Sequence, residues 1–147
     1  MLLINAVNAE GRPVELYVKD GKIAAVGQDL AALAGENETV LDAGGLTVLP
    51  AFVDLHCHWR TPGFEYKEDI ESGSRAAVKG GFTQVCCMPN TQPVADNKVV
   101  ISYIRHRGEE AGLCKIRPIG AITKGENGEQ LADIGEMKKA GAVAISD

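Results

Sequence analysis

Two histidines, an arginine and an aspartate fall within the run Asp54-Leu55-His56-Cys57-His58-Trp59-Arg60-Thr61-Pro62-Gly63. In an extended strand, side chains at i and i+2 share a face. His56 and His58 therefore point the same way, and Arg60 follows them if the extended backbone continues to Pro62-Gly63. Two neutral imidazoles on one face are half of a site for Zn²⁺ or a similar borderline ion, which takes one or two more ligands from elsewhere in the chain. The guanidinium stands where a metal-bound anion could be held. Taken alone, the pattern also suits a chance pair of histidines, one hydrogen-bonded and one solvated, because a complete ligand set is what makes such a signal specific.

The secondary structure that carries these residues can be read from the periodicity. The run before the histidines, residues 46–55, is short, aliphatic and β-branched, and opens at Gly44-Gly45. It reads as a buried strand. Residues 67–79 place Ile70, Ala76, Ala77 and Val78 among charges and stop at Gly80-Gly81, the pattern of a helix with a glycine terminator. A strand over 83–88 closes at Pro89, and a helix over 97–110 carries Val99, Val100, Tyr103 and Ile104. A strand over 115–122, a helix over 129–140 and a strand over 142–146 follow. Strands alternating with helices of this size imply a parallel sheet with right-handed crossovers. Both a flavodoxin-like sheet and part of a (β/α)8 barrel satisfy that pattern.

The first part of the chain is different. Residues 2–6, 14–18 and 22–26 are short, partly alternating runs separated by Gly11-Arg12-Pro13 and by Lys19-Asp20-Gly21, whose Asp-Gly is a hairpin signal. Three or four strands ending near Leu41-Asp42 form a small β-unit with a marginal core of its own.

With 147 residues, 45% hydrophobic, 24% charged and a net charge of −5, the composition is that of an ordinary soluble globular protein. Nucleic acid is not an expected partner. No apolar run reaches the ~18 residues of a spanning helix, and the first residues lack the basic flank and cleavage site of a secretory signal, so a membrane role is not expected and a cytoplasmic location is. The four cysteines, Cys57, Cys86, Cys87 and Cys114, lie in or beside apolar runs without Cys-x-x-Cys spacing, and read as reduced core residues.

A whole (β/α)8 barrel takes ~250 residues. Read as a barrel, the chain supplies the first half and stops at the tip of the fourth strand, which leads us to expect a fragment or truncated product with an open edge and a bare apolar face. Barrel chemistry sits at the C-terminal ends of the strands. There lie His56, His58 and Arg60 after the first strand, Asn90-Thr91 after the second, Thr123-Lys124 after the third and Asp147 after the fourth. Asn90 after Pro89 also suits a simple turn, Thr123 and Lys124 read as loop residues, and Asp147 also suits a helix N-cap.

The stretch 49–73, from Leu49-Pro50-Ala51-Phe52-Val53 through Asp54-Leu55-His56-Cys57-His58 and Arg60-Thr61-Pro62-Gly63 to Glu71-Ser72-Gly73, resembles the first signature of dihydroorotases in the amidohydrolase superfamily. The resemblance continues in order through Gly80-Gly81-Phe82-Thr83, Met88-Pro89-Asn90-Thr91-Gln92-Pro93 and Ala144-Ile145-Ser146-Asp147. Dihydropyrimidinases and allantoinases share the His-x-His and a composite β-unit, but Arg60-x-Pro62-Gly63 together with Met88-Pro89-Asn90-Thr91 is similar to the bacterial type I dihydroorotases.

The resemblance implies an α/β fold, the first half of a (β/α)8 TIM-like barrel over residues 46–147, preceded by a small β-unit over 1–45 that is part of a composite β-sandwich. It implies the reversible interconversion of N-carbamoyl-L-aspartate and dihydroorotate in pyrimidine biosynthesis, with one or two Zn²⁺ ions that activate water and polarise the ring carbonyl. It places His56, His58 and Asp147 at metal-ligand positions, and His58, Arg60 and Asn90 at substrate-binding positions. Aligned without gaps, Asp147 is the first aspartate of a Ser/Thr-Asp-Asp-Gly motif whose second is the usual ligand, and the general acid/base falls beyond residue 147. Cys57, Trp59 and Thr61 depart from the residues common around the histidines, and a bulky Trp59 is expected to reshape the pocket mouth. The chain alone is thus expected to be inactive. Its expected partners are the small-molecule substrate, a homo-oligomer, a complementing fragment or aspartate transcarbamoylase. Other readings are a hydantoinase- or allantoinase-like amidohydrolase and a non-catalytic homologue.

Overall fold

The computed structural model describes all 147 residues, which divide into two compact units, Met1–Pro50 and Ala51–Asp147.

In the first unit, strands β1 (Leu2–Val7), β2 (Pro13–Lys19), β3 (Lys22–Gly27) and β4 (Val40–Asp42) form one sheet in the order β3-β2-β1-β4. The β2–β3 hairpin turns at Asp20-Gly21, where both residues have positive φ (51° and 70°), the geometry that makes Asp-Gly a hairpin sequence. Strand β4 returns parallel to β1. The start of the apolar run expected to feed the second sheet stays here instead. Val48 N–H donates to Val7 C=O at 2.8 Å and Thr47 bridges Val7. Pro50, which has no N–H to give a ladder, ends that pairing before the next strand starts. Only Leu2, Ala6 and Tyr17 of this unit's hydrophobic residues are buried, the small core anticipated for so few strands.

The second unit runs β5 (Phe52–Cys57), α1 (Ile70–Lys79), β6 (Phe82–Cys87), α2 (Lys98–Ala111), β7 (Lys115–Ala121), α3 (Ile134–Ala140) and β8 (Ala144–Ser146). All neighbouring strands are parallel, in the order β5-β6-β7-β8. That order decides between the two architectures left open by periodicity. A flavodoxin-like sheet reverses direction after its first crossover and places its first strand inside the sheet, whereas here each strand is added beside the last. This is α/β architecture wound as a partial (β/α)8 barrel.

Local sequence explains where the helices begin. Asp69 caps α1 by accepting from Ser72 N–H at 2.8 Å, and Asn97 caps α2 by accepting from Val99 and Val100 N–H at 3.0 and 3.2 Å. Asp133 caps α3, accepting from Glu136 N–H at 3.2 Å. Helix α3 is shorter than the 129–140 pattern because Leu131 bridges Thr123 and Ala132 N–H donates to Ile122 C=O, holding residues 131–132 extended against the preceding loop. The main core lies between sheet and helices, with Ile70, Val85, Cys87, Val100, Ile101, Ile104, Ile116 and Met137 buried together. A smaller cluster of Cys86, Met88 and Ile119 occupies the other side of the sheet, as strand alternation requires.

Candidate functional site

The alternation of side chains at the end of β5 builds the site. Trp59 and Thr61 are 8% and 4% exposed, and Cys57 packs against the main core, so the odd-numbered residues are anchored under the helix layer. His56, His58 and Arg60 consequently project to the opposite face. This corrects the expected place of Trp59. Its indole lies against Gly73 of α1, where even a Cβ would collide with the ring, rather than at the pocket mouth.

On the projecting face, His56 Nε2 and His58 Nε2 stand 3.2 Å apart, with the rings edge to face at 5.0 Å between centroids. Two nitrogens bound ~2.0–2.1 Å from one tetrahedral Zn²⁺ would be separated by about 3.3 Å. The spacing of the pair therefore fits a shared cation. His58 Nδ1 lies 3.0 Å from Asn90 Oδ1. A ring nitrogen facing a carbonyl oxygen must carry the proton, which leaves the Nε2 lone pair of His58 directed toward His56. The backbone N–H of His56 donates to Asp54 Oδ1 at 2.9 Å, fixing the strand end beneath the first imidazole.

Asn90 joins both halves of the site. Its side chain holds His58, and its backbone carbonyl accepts from Arg60 Nη1 at 3.1 Å. The loop that presents it is latched to the turn after β5: Gln92 N–H donates to Pro62 C=O at 2.9 Å, and Gly63, at φ 96°, lies so close to Gln92 that a Cβ would overlap its carbonyl. Thr91, 2% exposed, donates to Pro93 C=O at 2.8 Å and keeps that loop folded on itself.

Asp147 lies elsewhere in the network. Its Oδ1 accepts from the backbone N–H groups of Ile122 and Thr123 at 2.8 and 3.1 Å, and its Oδ2 accepts from Thr123 Oγ1 at 2.6 Å. The Thr123 hydroxyl, followed by these backbone donors, holds the Asp147 carboxyl below the usual carboxylate range. Thr123, read from sequence as an ordinary loop residue, is 9% exposed and organises this end of β7, whereas Lys124 is exposed. No three His, Cys, Asp or Glu side chains converge as a metal-ligand group, so the structure brings together His56, His58, Arg60 and Asn90 without Asp147 as a third ligand.

One titratable residue on the loop after β7 was not singled out by the sequence. Glu126, in the short 3-10 turn Lys124–Glu126 after β7, is half-buried with φ 58°. Burial raises its carboxyl above the ordinary range and the charge of Asp147 raises it further, while Arg60 and His58 pull it back. Its turn is tied to the preceding loop by Gly125 N–H donating to Asp96 Oδ2 at 2.9 Å. Its place after a barrel strand was the only sequence signal for it.

Residues 45–147 match the model of a family described as dihydro-orotase-like. The chain belongs to the dihydro-orotase-like family. Among its relatives, a dihydroorotase of Caldicellulosiruptor saccharolyticus is 50% identical over 145 residues, covering 99% of this chain and 34% of that protein. A dihydroorotase of Pelobacter propionicus is 54% identical over 134 residues, covering 91% of this chain and 31% of that protein. The dihydro-orotase-like chain thus spans about a third of the length of the curated relatives it matches. Among solved structures it resembles an L-hydantoinase (dihydropyrimidinase) from Arthrobacter aurescens, with a TM-score of 0.78 at 27% identity over 98% of this chain and 32% of that one. A D-hydantoinase from Thermus sp., with a TM-score of 0.70 at 24% identity over 94% of this chain and 30% of that one, shares the fold.

Proposed function

We propose that this chain carries the paired-histidine and substrate-carboxylate elements of a cyclic amidohydrolase of pyrimidine synthesis, one that interconverts N-carbamoyl-L-aspartate and dihydroorotate. The observation that carries this reading is the pair of Nε2 atoms 3.2 Å apart, flanked by Arg60 and oriented through Asn90. The identity with dihydroorotases supports it.

His56 and His58 would hold a divalent cation, Zn²⁺ by the preference of imidazole for borderline ions. When bound, the ion supplies Lewis acidity, activating water and polarising an amide carbonyl. The chain's own residues do the rest. Asn90 keeps the proton of His58 on Nδ1, so that Nε2 remains a donor to the metal. Arg60, held by the Asn90 carbonyl through one guanidinium nitrogen, retains N–H groups for a substrate carboxylate. That contact would orient the carbamoyl-aspartate so that its reacting end lies over the histidines. Residues 1–45 would serve as part of a composite β-sandwich.

The pair supplies two imidazole ligands, and we expect the chain by itself to bind without turning over. Calorimetric titration of the zinc-loaded chain with N-carbamoyl-L-aspartate tests this reading, with binding expected in the wild type and lost in Arg60→Ala. Detectable cyclisation by the purified chain would overturn the claim of inactivity. The likeness to an L-hydantoinase supports a second reading, a hydantoinase-like site for another cyclic amide. Tighter binding of a hydantoin than of dihydroorotate would favour it.

A further inference from the structure

On the reverse side of the histidine strand, Cys57 and Cys87 are register partners on the neighbouring parallel strands β5 and β6, with Sγ atoms 3.8 Å apart. Paired strands run ~4.7–4.9 Å apart, inside the ~4.4–6.8 Å range of Cα separations that a disulfide spans. The two strands therefore lie within reach of a bridge, and closing the sulfurs from 3.8 Å to about 2.0 Å draws Cys57 and Cys87 together. The other two cysteines are placed differently. Cys86 belongs to the cluster with Met88 and Ile119 across the sheet, and Cys114 precedes β7. All four are free thiols.

We propose that Cys57 and Cys87 are a dithiol that a peroxide converts to a disulfide, and that this oxidation weakens the hold of His56 and His58 on a metal ion. Cys57 is half-buried whereas Cys87 is 1% exposed, so the oxidant meets Cys57 first. Its sulfur attacks one peroxide oxygen, the O–O bond breaks, Cys57 becomes a sulfenic acid and one water leaves. The Cys87 sulfur then attacks the Cys57 sulfur, the S–S bond forms, the S–O bond breaks, and the hydroxyl departs as a second water with the Cys87 proton. Two thiols give up two electrons and two protons, and the peroxide takes up both.

The coupling to the site follows from chain order. Cys57 lies between the two histidines, and its carbonyl accepts from Met88 N–H at 2.9 Å, two residues before Asn90. Drawing Cys57 toward β6 shifts the backbone from which both imidazoles project, and disturbs the loop that orients His58. The bridge is independent of the proposed reaction. Its effect on metal binding rests on the metal reading above.

The test treats the reduced 147-residue chain with hydrogen peroxide, alkylates remaining thiols, and maps the digest by mass. We expect a Cys57–Cys87 linked peptide that dithiothreitol releases, that persists in Cys86→Ser and Cys114→Ser, and that is absent from Cys57→Val, whose aliphatic side chain fills the same packed position. In a chelator competition, the oxidised chain should bind zinc at least ~10-fold more weakly, the loss typical of a disturbed supporting shell. Dithiothreitol should restore binding, and peroxide should leave the zinc affinity of Cys57→Val unchanged. Separately alkylated Cys57 and Cys87, or a bridge to Cys86 or Cys114, overturn the pairing. A Cys57–Cys87 bridge with unchanged zinc affinity overturns the coupling. A reduced chain that holds no zinc contradicts the metal reading and the coupling with it, while the peptide map still decides the bridge.

Discussion

The Asn90 side-chain oxygen, 3.0 Å from His58 Nδ1, can only accept, so it selects the tautomer of the neutral imidazole that leaves Nε2 unprotonated. A residue 32 positions along the chain thereby sets the protonation pattern of a histidine just past the end of the neighbouring strand. Supporting partners of metal-bound histidines are typically worth ~10–100-fold in metal affinity. Asn90→Leu should lower the zinc affinity of the chain by about that factor while its circular dichroism spectrum stays unchanged. An unaltered affinity would show that the contact does not orient the ring.

Arg60 combines a fixed guanidinium with a position beside the histidines. Replacing it by lysine keeps the charge and removes the planar fork, so binding of N-carbamoyl-L-aspartate should weaken by roughly 10- to 100-fold, the equivalent of losing a charge-assisted hydrogen bond of ~1.5–3 kcal/mol. Titration calorimetry on Arg60→Lys decides it.

The close approach of α1 to Trp59 gives a stability prediction. A Cβ at residue 73 would meet the indole ring, so Gly73→Ala forces Trp59 or the helix to move. Overpacking of this kind costs ~1–3 kcal/mol. Gly73→Ala should lower Tm and shift the fluorescence of Trp59, the single tryptophan. A variant as stable as wild type with an unshifted spectrum would contradict the packing.

How much of this was legible in the sequence follows from what each feature depends on. The alternation of strands and helices could be read because hydrophobic period is a local property, and the common face of His56, His58 and Arg60 because extended chains alternate. Helix starts shifted where Asp69, Asn97 and Asp133 took up the capping bonds, which single out one residue within a broad periodic pattern. The direction of Trp59 followed from the same alternation that placed the histidines, and size alone suggested the opposite. The choice of barrel over flavodoxin-like sheet, the Cys57–Cys87 register and the half-burial of Glu126 all require strand order or loop position in space. No local pattern encodes them.

Acid stability should report on the end of β7. Asp147 has a folded-state pKa depressed below the ordinary value of 3.8, so its contribution to stability is present above that pH and is lost as pH falls through the lower folded value. Asp147→Asn should flatten the decline of stability in acid below pH 3.8, measured by urea unfolding at a series of pH values. A wild-type slope in that variant would mean that the carboxylate contacts with Ile122 and Thr123 add nothing in solution.

Zinc titration of the apo chain beside His56→Ala and His58→Ala asks whether the two imidazoles form a metal-binding pair. One weakly held ion per chain is expected, because two protein ligands leave the remaining positions to water, with binding abolished in either variant and folding intact by circular dichroism. Full affinity retained in both variants, or no binding by the folded wild-type chain, would contradict it.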